Sequence, residues 1–269
     1  MQQLAFDRIG AGAPLVLLHP LGLDRHVWSP VLARLASHRD VLAVDLPGFG
    51  DSPPLPDGEE AHPRRLAEAV ARLLRELGIG RGAAHVAGCS LGGWVALELA
   101  LAGDAASVTA LAPAGLWTRE LGPKAELARG IARLARPLLV PAMRVGRIRR
   151  LALASSVAHP DRVPPGDAAR LIRAYATGRG FSAANRAMRA GRFDSLASIS
   201  VPLTLVWPGH DRLIRRPRSL PSGVREIALD DCGHIPMWDD PAAVAAALLD
   251  GSASQATAPS ELQRAKEGS

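Results

Sequence analysis

The chain has 269 residues, of which 48% are hydrophobic and 22% charged, enough for one large domain or two small ones. This composition is typical of a folded globular protein and excludes a disordered chain. The formal charge is +6, and every basic residue except Lys124 and Lys266 is an arginine. Such a charge can indicate a nucleic acid, an anionic membrane or an acidic ligand as partner, but it also fits a general preference for arginine over lysine.

The sequence has no obvious targeting or membrane-spanning segment. Residues 1–7 lack the basic and apolar regions of a secretory signal, and no apolar run approaches the ~18 residues that cross a bilayer. Cys89 and Cys232 are too few for a disulfide-rich secreted scaffold or a four-cysteine zinc site. We therefore expect a cytoplasmic protein with no membrane partner.

Short apolar runs alternate with longer segments of helical periodicity. The predicted strands are 14–19, 41–46, 85–87, 108–112, 201–207 and 224–229. The predicted helices are 27–37, 63–77, 91–102 and 241–250. This alternation favours an α/β fold with a doubly wound, mostly parallel sheet covered by helices on both faces.

The segment 116–191 interrupts this alternation. It has no strand-like run, its arginines recur at helical spacing, and five prolines are expected to divide it into short helices. Those prolines are Pro137, Pro141, Pro160, Pro164 and Pro165. We predict that 116–191 is a helical cap inserted into a core formed by 1–115 and 192–250. The small and polar residues 251–269 are expected to form a disordered tail.

The strongest functional signal is the pattern Gly-x-Ser-x-Gly at residues 88–92. It follows a predicted strand and begins a predicted helix, the context in which a tight turn projects a serine hydroxyl above a sheet. Glycine neighbours permit the close backbone approach that such a turn needs, and the helix N terminus stabilises negative charge nearby. Ser90 is therefore a candidate nucleophile.

A serine nucleophile needs a base that accepts its proton and a third group that orients the base. His234, after the last predicted strand, is the candidate base, and Asp211, after the strand 201–207, is the candidate acid. Both follow parallel strands and so belong to the same sheet edge as Ser90. The order Ser, Asp, His along the chain is that of hydrolases with this turn.

Other residues remain open for the same roles. Asp45, at the end of the second predicted strand, and Asp194, before 201–207, are alternative acids. His210 is an alternative base, although adjacent loop residues such as His210 and Asp211 usually point apart. The sequence lacks a metalloprotease His-Glu pattern and a phosphate-binding glycine pattern, so no metal or cofactor is expected.

Five motifs in a fixed order make the sequence resemble the α/β-hydrolase superfamily, in particular its single-chain members with a helical cap. They are the segments 19–22, 45–52 and 88–93, the loop around Asp211, and 233–236 followed by Asp240-Pro241. The resemblance covers the chain to about residue 250. Within the superfamily, 19–22 and 233–241 are similar to carboxylesterases and enol-lactonases of aromatic breakdown.

The resemblance implies that Ser90 is the nucleophile, His234 the general base and then acid, and Asp211 the carboxylate that fixes the imidazole. It also implies an oxyanion hole from the backbone N–H groups of Leu21 and Leu91. The expected substrate is a small-molecule ester, lactone or thioester, cleaved through an acyl-enzyme. In the superfamily an aspartate at the elbow, where this chain has serine, indicates dehalogenase or epoxide-hydrolase chemistry instead.

Two departures from the family pattern concern these roles. Pro20 replaces a glycine and has no N–H group, although the expected oxyanion donor is one residue later. The interval from Asp211 to His234 is short, so any helix within it is expected to be clipped by Pro217 and Pro221.

Substrate contacts and activity leave alternatives open. Candidate pocket-lining residues, with packing in the core as the alternative, are Trp28, Trp94, Met237 and Trp238. The same triad can perform lyase, acyl-transfer or cofactor-free perhydrolysis chemistry, and the fold can also serve a ligand-binding protein without turnover. Arginines between 119 and 192 favour an anionic substrate or reflect solvated helix faces. They lack a nucleic-acid-binding pattern, so no such partner is expected, and the oligomeric state stays open.

Overall fold

A seven-stranded sheet forms the centre of the protein, for which a computed structural model describes residues 3–122 and 126–253. The predicted tail 251–269 lies outside the described residues from 254 onward. The strands are β1 (Phe6–Gly10), β2 (Pro14–Leu18), β3 (Asp40–Val44), β4 (His85–Cys89), β5 (Ser107–Leu111), β6 (Leu203–Pro208) and β7 (Arg225–Leu229). Their order across the sheet is β1-β3-β2-β4-β5-β6-β7, with β1 antiparallel and all other pairs parallel. The predicted doubly wound, mostly parallel sheet is confirmed.

Six of the strands lie where the sequence predicts them, within two residues at each end. The seventh, β1, was not predicted because its apolar residues Phe6 and Ile9 do not alternate with a period of two. Most of β1 is exposed, and it is held by antiparallel pairing to β3, with Phe6 opposite Val44. Long-range pairing, rather than local pattern, therefore defines this strand.

The described residues contain eight α-helices. They are α1 (Ser29–Ala36), α2 (Pro63–Glu76), α3 (Leu91–Leu101), α4 (Leu127–Ala142), α5 (Gly146–Leu153), α6 (Pro165–Thr177), α7 (Phe181–Ala190) and α8 (Pro241–Gly251). No helix of the described chain is long and apolar enough to cross a membrane. The expected clipped helix between Asp211 and His234 does not form, since 209–224 contains no helix.

Helices cover both faces of the sheet, and successive side chains of its central strands enter opposite cores. In β2, Leu15 and Leu17 pack with α1 and α8, whereas Val16 and Leu18 pack with α2 and α3. This explains why β2 is an uninterrupted apolar run, since a parallel strand covered on both sides has no solvent face. The carboxyl ends of these strands carry the loops described next.

Helices α4–α7 lie between β5 and β6, in the segment for which we predict a cap, and α4 packs against α6. The expectation that every proline ends a helix is wrong for Pro137 and Pro141, which both lie inside α4. Both prolines are exposed, so water can bind the carbonyl groups that lose their N–H partner. Pro165, in contrast, occupies the first turn of α6, as expected.

The outer strands β1 and β7 end the sheet with charged pairs. Arg8 on β1 binds the Asp40 carboxylate through two nitrogens, with Nη2 2.6 Å from Oδ2 and Nε 2.9 Å from Oδ1. Arg225 on β7 pairs with Asp250 at the end of α8. The sheet edges are therefore charged, although the central strands are apolar.

Candidate active site

Ser90 lies in the turn between β4 and α3 with φ +55° and ψ −113°, a left-handed conformation that is strained for a residue with a side chain. A Cβ atom at Gly92 would lie 2.2 Å from the Leu18 carbonyl oxygen, and one at Gly88 would lie 2.1 Å from the Gly92 carbonyl oxygen. Both positions therefore require glycine. The predicted strand-turn-helix context of the Gly-x-Ser-x-Gly pattern is confirmed.

The backbone of Ser90 is fixed by hydrogen bonds on both sides. Its N–H group donates to the Leu111 carbonyl at 2.9 Å, and its carbonyl accepts from the N–H groups of Trp94 at 3.1 Å and Ala114 at 3.0 Å. These three bonds, to α3 and to the end of β5 with the loop after it, hold the turn in its strained conformation. The backbone that carries the Ser90 side chain is thus held in place.

His234 and Asp211 form a buried pair of titratable side chains. His234 Nδ1 lies 2.7 Å from Asp211 Oδ2, and both side chains are buried. The other oxygen, Asp211 Oδ1, accepts from the backbone N–H groups of Leu213 at 2.7 Å and Ile214 at 3.0 Å. An ionised carboxylate only accepts, so Nδ1 carries the proton and Nε2 remains the basic nitrogen.

The alternative acids and base are engaged elsewhere. The Asp45 carboxylate binds Arg25, and that of Asp194 binds Arg192. The side chain of His210 is largely exposed, and its Nε2 lies 4.0 Å from the Asp231 carboxylate. Of the three carboxylates considered, only Asp211 is thus brought into contact with His234.

A hydrogen bond joins the loop that carries His234 to the turn that carries Ser90. The Cys89 thiol, next to Ser90 in sequence, donates to the His234 carbonyl at 3.3 Å. Burial, and then the charge of Asp211, raises the pKa of the Cys89 thiol well above its usual value, which keeps it protonated and poorly nucleophilic. Ser90 and His234 each expose only 6% of their surface, so bulk water has little access to either.

The loop after β2 is fixed by a buried histidine. His19 Nδ1 donates to the Pro20 carbonyl at 2.9 Å, and His19 Nε2 accepts from the Leu46 N–H at 2.9 Å. Complete burial lowers the pKa of His19, which favours the neutral imidazole that this pattern needs. Among the described residues, neither Leu21 nor Leu91 donates its N–H in a turn, loop or cap hydrogen bond.

A buried ion pair fixes the end of the same loop. Asp45 is fully buried; its Oδ1 accepts the Arg25 backbone N–H at 2.7 Å, its Oδ2 accepts that of Asp51 at 2.9 Å, and it pairs with the Arg25 guanidinium. The sequence identified Asp45 only as an alternative acid. Its position at the end of a buried strand, within the 45–52 motif, was the signal for this role.

Asp239 is a positioning residue that sequence reasoning missed. Its carboxylate, in a residue only 2% exposed, accepts from the backbone N–H groups of Gly233 at 2.7 Å, His159 at 2.7 Å and Ala158 at 3.0 Å. One side chain therefore joins the loop that carries His234 to the segment that follows α5. The acidic pair Asp239-Asp240 was visible in the sequence, but its partners were not.

Replacing Asp239 with alanine is expected to lower the free energy of unfolding by about 3–5 kcal/mol, because one buried and two partly buried N–H groups lose their acceptor. Urea denaturation measures the change. Asp240→Ala is the matched control: Asp240 caps α8 through the Ala243 N–H, and loss of a cap costs about 1 kcal/mol. Equal losses in the two variants would contradict the role of Asp239.

The four candidate pocket residues do not form one surface. Trp94 belongs to the core that contains α2 and α3, whereas Trp28, Met237 and Trp238 belong to the core on the opposite face of the sheet. All four are buried. A pocket-lining role for them remains a prediction.

Two aromatic residues that the sequence did not single out lie against the loop after β2. A Cβ atom at Gly22 would lie 2.9 Å from the Phe181 ring and 3.0 Å from the Tyr175 ring. The two rings contact each other edge to face, with centroids 5.4 Å apart. The end of α6 and the start of α7 thus cover this loop with aromatic side chains. Within the described part of the chain, no cluster of three or more His, Cys, Asp or Glu side chains could hold a metal.

Comparison with known proteins agrees with this architecture. Residues 15–247 match the model of the alpha/beta hydrolase family. Epoxide hydrolase EphH of Mycobacterium tuberculosis is 36% identical over 195 residues, which cover 65% of this chain and 88% of that protein. The pimeloyl-[acyl-carrier protein] methyl ester esterase of Aeromonas hydrophila is 45% identical over 98 residues, 36% of either chain.

Solved structures show the same fold. The enol-lactonase from Burkholderia xenovorans LB400 superposes with a TM-score of 0.69 at 23% identity, covering 92% of this chain and 95% of that one. A membrane phospholipase A superposes with a TM-score of 0.71 at 27% identity, covering 92% and 82%. With the family match across most of its length, the chain belongs to the alpha/beta hydrolase family of enzymes.

Proposed function

We propose that this enzyme is a serine hydrolase that cleaves a small-molecule ester, lactone or thioester with Ser90, His234 and Asp211. The observation that carries the proposal is the 2.7 Å contact between His234 Nδ1 and Asp211 Oδ2, because it leaves Nε2 free to accept a proton. The left-handed backbone of Ser90, at the end of a parallel strand, supports its role as the nucleophile.

In the proposed reaction, Ser90 Oγ attacks the carbonyl carbon while His234 Nε2 takes the hydroxyl proton. The N–H groups of Leu21 and Leu91 bind the oxyanion, and His234 then returns the proton to the leaving alcohol or thiol. A water molecule, deprotonated by His234, attacks the acyl-enzyme and releases the acid and Ser90. Asp211 stays ionised throughout and stabilises the imidazolium.

The relative named as an epoxide hydrolase makes epoxide opening a second candidate. Ser90 argues against it, because family members with dehalogenase or epoxide-hydrolase chemistry are expected to carry an aspartate at the elbow, and this chain has a hydroxyl there. Lyase, acyl-transfer and perhydrolysis chemistry would use the same three side chains. Incorporation of ¹⁸O from labelled water into a released acid is expected for hydrolysis alone.

A fluorophosphonate probe tests the nucleophile directly. The wild-type protein is expected to bond to the probe through Ser90 Oγ with loss of fluoride, and Ser90→Ala is expected not to be labelled. Ser37→Ala is the matched control: the Ser37 hydroxyl is exposed and binds the Arg34 carbonyl, so its labelling should equal that of the wild type. Undiminished labelling of Ser90→Ala would refute the proposal.

The substrate class is tested with a panel of short- and long-chain esters, lactones, thioesters and an epoxide. Turnover of an acyl substrate by the wild type, with loss in Ser90→Ala, is expected. Turnover of the epoxide alone would exclude the acyl-enzyme mechanism.

A further inference from the structure

Helix α4 presents a row of aliphatic side chains to solvent. The α4 ridge consists of Leu127, Ile131, Leu134 and Leu138, whose exposed fractions lie between 67% and 86%. Spacings of four, three and four residues place them on one face of the helix, along about 16 Å of its axis. Leu151 on α5 is a further exposed leucine, at 82%. Contiguous apolar surface of this kind marks an interaction site.

The ridge is not the packing face of α4. The opposite side of the helix already packs on α6, where Ala132 is buried and Arg129 donates to the carbonyls of Tyr175 at 3.2 Å and Gly178 at 2.6 Å. One side of α4 is therefore packed against the protein, whereas the described residues leave the leucines on the other side exposed.

The segment that carries the ridge is strongly basic. Between residues 127 and 160 the sequence has seven arginines and no acidic residue. The arginines are Arg129, Arg133, Arg136, Arg144, Arg147, Arg149 and Arg150. Among the residues that the structure describes, no carboxylate pairs with Arg133, Arg136, Arg144 or Arg147. These four cations are therefore available to an anionic partner.

We propose that the α4–α5 surface docks onto anionic lipid bilayers. The leucines of the α4 ridge and Leu151 can insert between the acyl chains, while Arg147, one turn before Leu151 on the same face of α5, reaches the phosphates with its guanidinium group. The arginines without a carboxylate partner among the described residues match the negative surface charge of the bilayer, and the exposed leucines match its apolar interior. This proposal departs from the sequence-based expectation that the protein has no membrane partner.

The docking surface lies one helix away from the candidate active site. The Arg129 guanidinium stacks 4.7 Å from the centre of the Phe181 ring, and Phe181 contacts Gly22 in the loop after β2. A bilayer on the α4 ridge would bring that loop close to esters dissolved in the membrane. This last step rests on the proposed function, whereas docking itself does not.

Co-sedimentation with vesicles tests the docking. The full chain is expected to bind phosphatidylglycerol-containing vesicles and not pure phosphatidylcholine vesicles, and to bind less tightly as salt rises. Leu134→Glu combined with Leu138→Glu should abolish binding. Ile9→Glu combined with Leu101→Glu, two exposed apolar residues away from α4, is the matched control and should bind like the wild type.

Arginine variants separate the electrostatic contribution. Each basic residue near an anionic membrane strengthens binding about fivefold, so Arg144→Gln with Arg147→Gln, at the α5 end of the surface, should weaken it about 25-fold. Both positions are exposed, and circular dichroism melting confirms that each variant is folded.

Two results would overturn the docking proposal. The first is no binding of the wild type to anionic vesicles, and the second is binding that the α4 variants leave unchanged. If the wild type does not bind, a dimer in light scattering that Leu134→Glu with Leu138→Glu dissociates would assign the ridge to self-association. The variants with substitutions in the α4 ridge should still hydrolyse a water-soluble ester. If the wild type does not hydrolyse such esters, the proposed function is contradicted, but the docking is not.

Discussion

Replacement of His234 by alanine is expected to lower kcat for an ester substrate by about 10⁴- to 10⁶-fold. Without Nε2 no group accepts the Ser90 proton, and residual turnover depends on substrate binding and the oxyanion donors alone. Steady-state kinetics with a chromogenic ester measures the loss. KM should change far less than kcat, because the imidazole acts mainly in the transition state.

The neighbouring histidine provides the control for this experiment. The His210 side chain is exposed and does not bind Asp211, so His210→Ala should keep kcat within about twofold of the wild type. If His234→Ala kept more than a tenth of the wild-type kcat, another residue would have to be the base.

The second large effect is expected for Asp211→Asn, which should lower kcat by about 10⁴-fold. An amide can donate to Nδ1, which stabilises the tautomer with hydrogen on Nε2 and removes the proton acceptor. The amide oxygen can still accept from Leu213 and Ile214, so the loop should keep its conformation. The change is therefore expected in catalysis and not in folding.

Asp194→Asn distinguishes this role from a general effect of charge. Asp194, the alternative acid candidate, is exposed and pairs with Arg192. Its replacement should therefore leave kcat unchanged. A loss of activity in Asp194→Asn together with an active Asp211→Asn would transfer the acid role to Asp194. Thermal melting of both variants shows that the comparison is made between folded proteins.

Local patterns account for what the sequence predicted. The central strands could be predicted because burial on both faces requires them to be uniformly apolar. The turn at Ser90 could be predicted because its tight geometry requires glycines, which appear in the sequence. The contact between His234 and Asp211 was inferred from their position after parallel strands, a rule of topology rather than of distance.

Long-range contacts account for what the sequence did not predict. The hydrogen bonds that Ala158 and His159 donate to Asp239, the pairing of β1 and the covering of Gly22 by Phe181 each join segments far apart in the chain. The periodicity of apolar residues carries no information about which distant residues will be in contact. The continuation of α4 through Pro137 shows the same limit, because packing on α6 outweighs a lost hydrogen bond.

The charged pairs at the ends of the sheet bear on how copies of this protein meet in concentrated solution. An uncovered strand edge can recruit a strand of another molecule and start an open-ended fibre. At β1 and β7 an incoming strand would first have to dehydrate the Arg8–Asp40 and Arg225–Asp250 pairs. The cost of that dehydration disfavours strand pairing between molecules at either edge of the sheet.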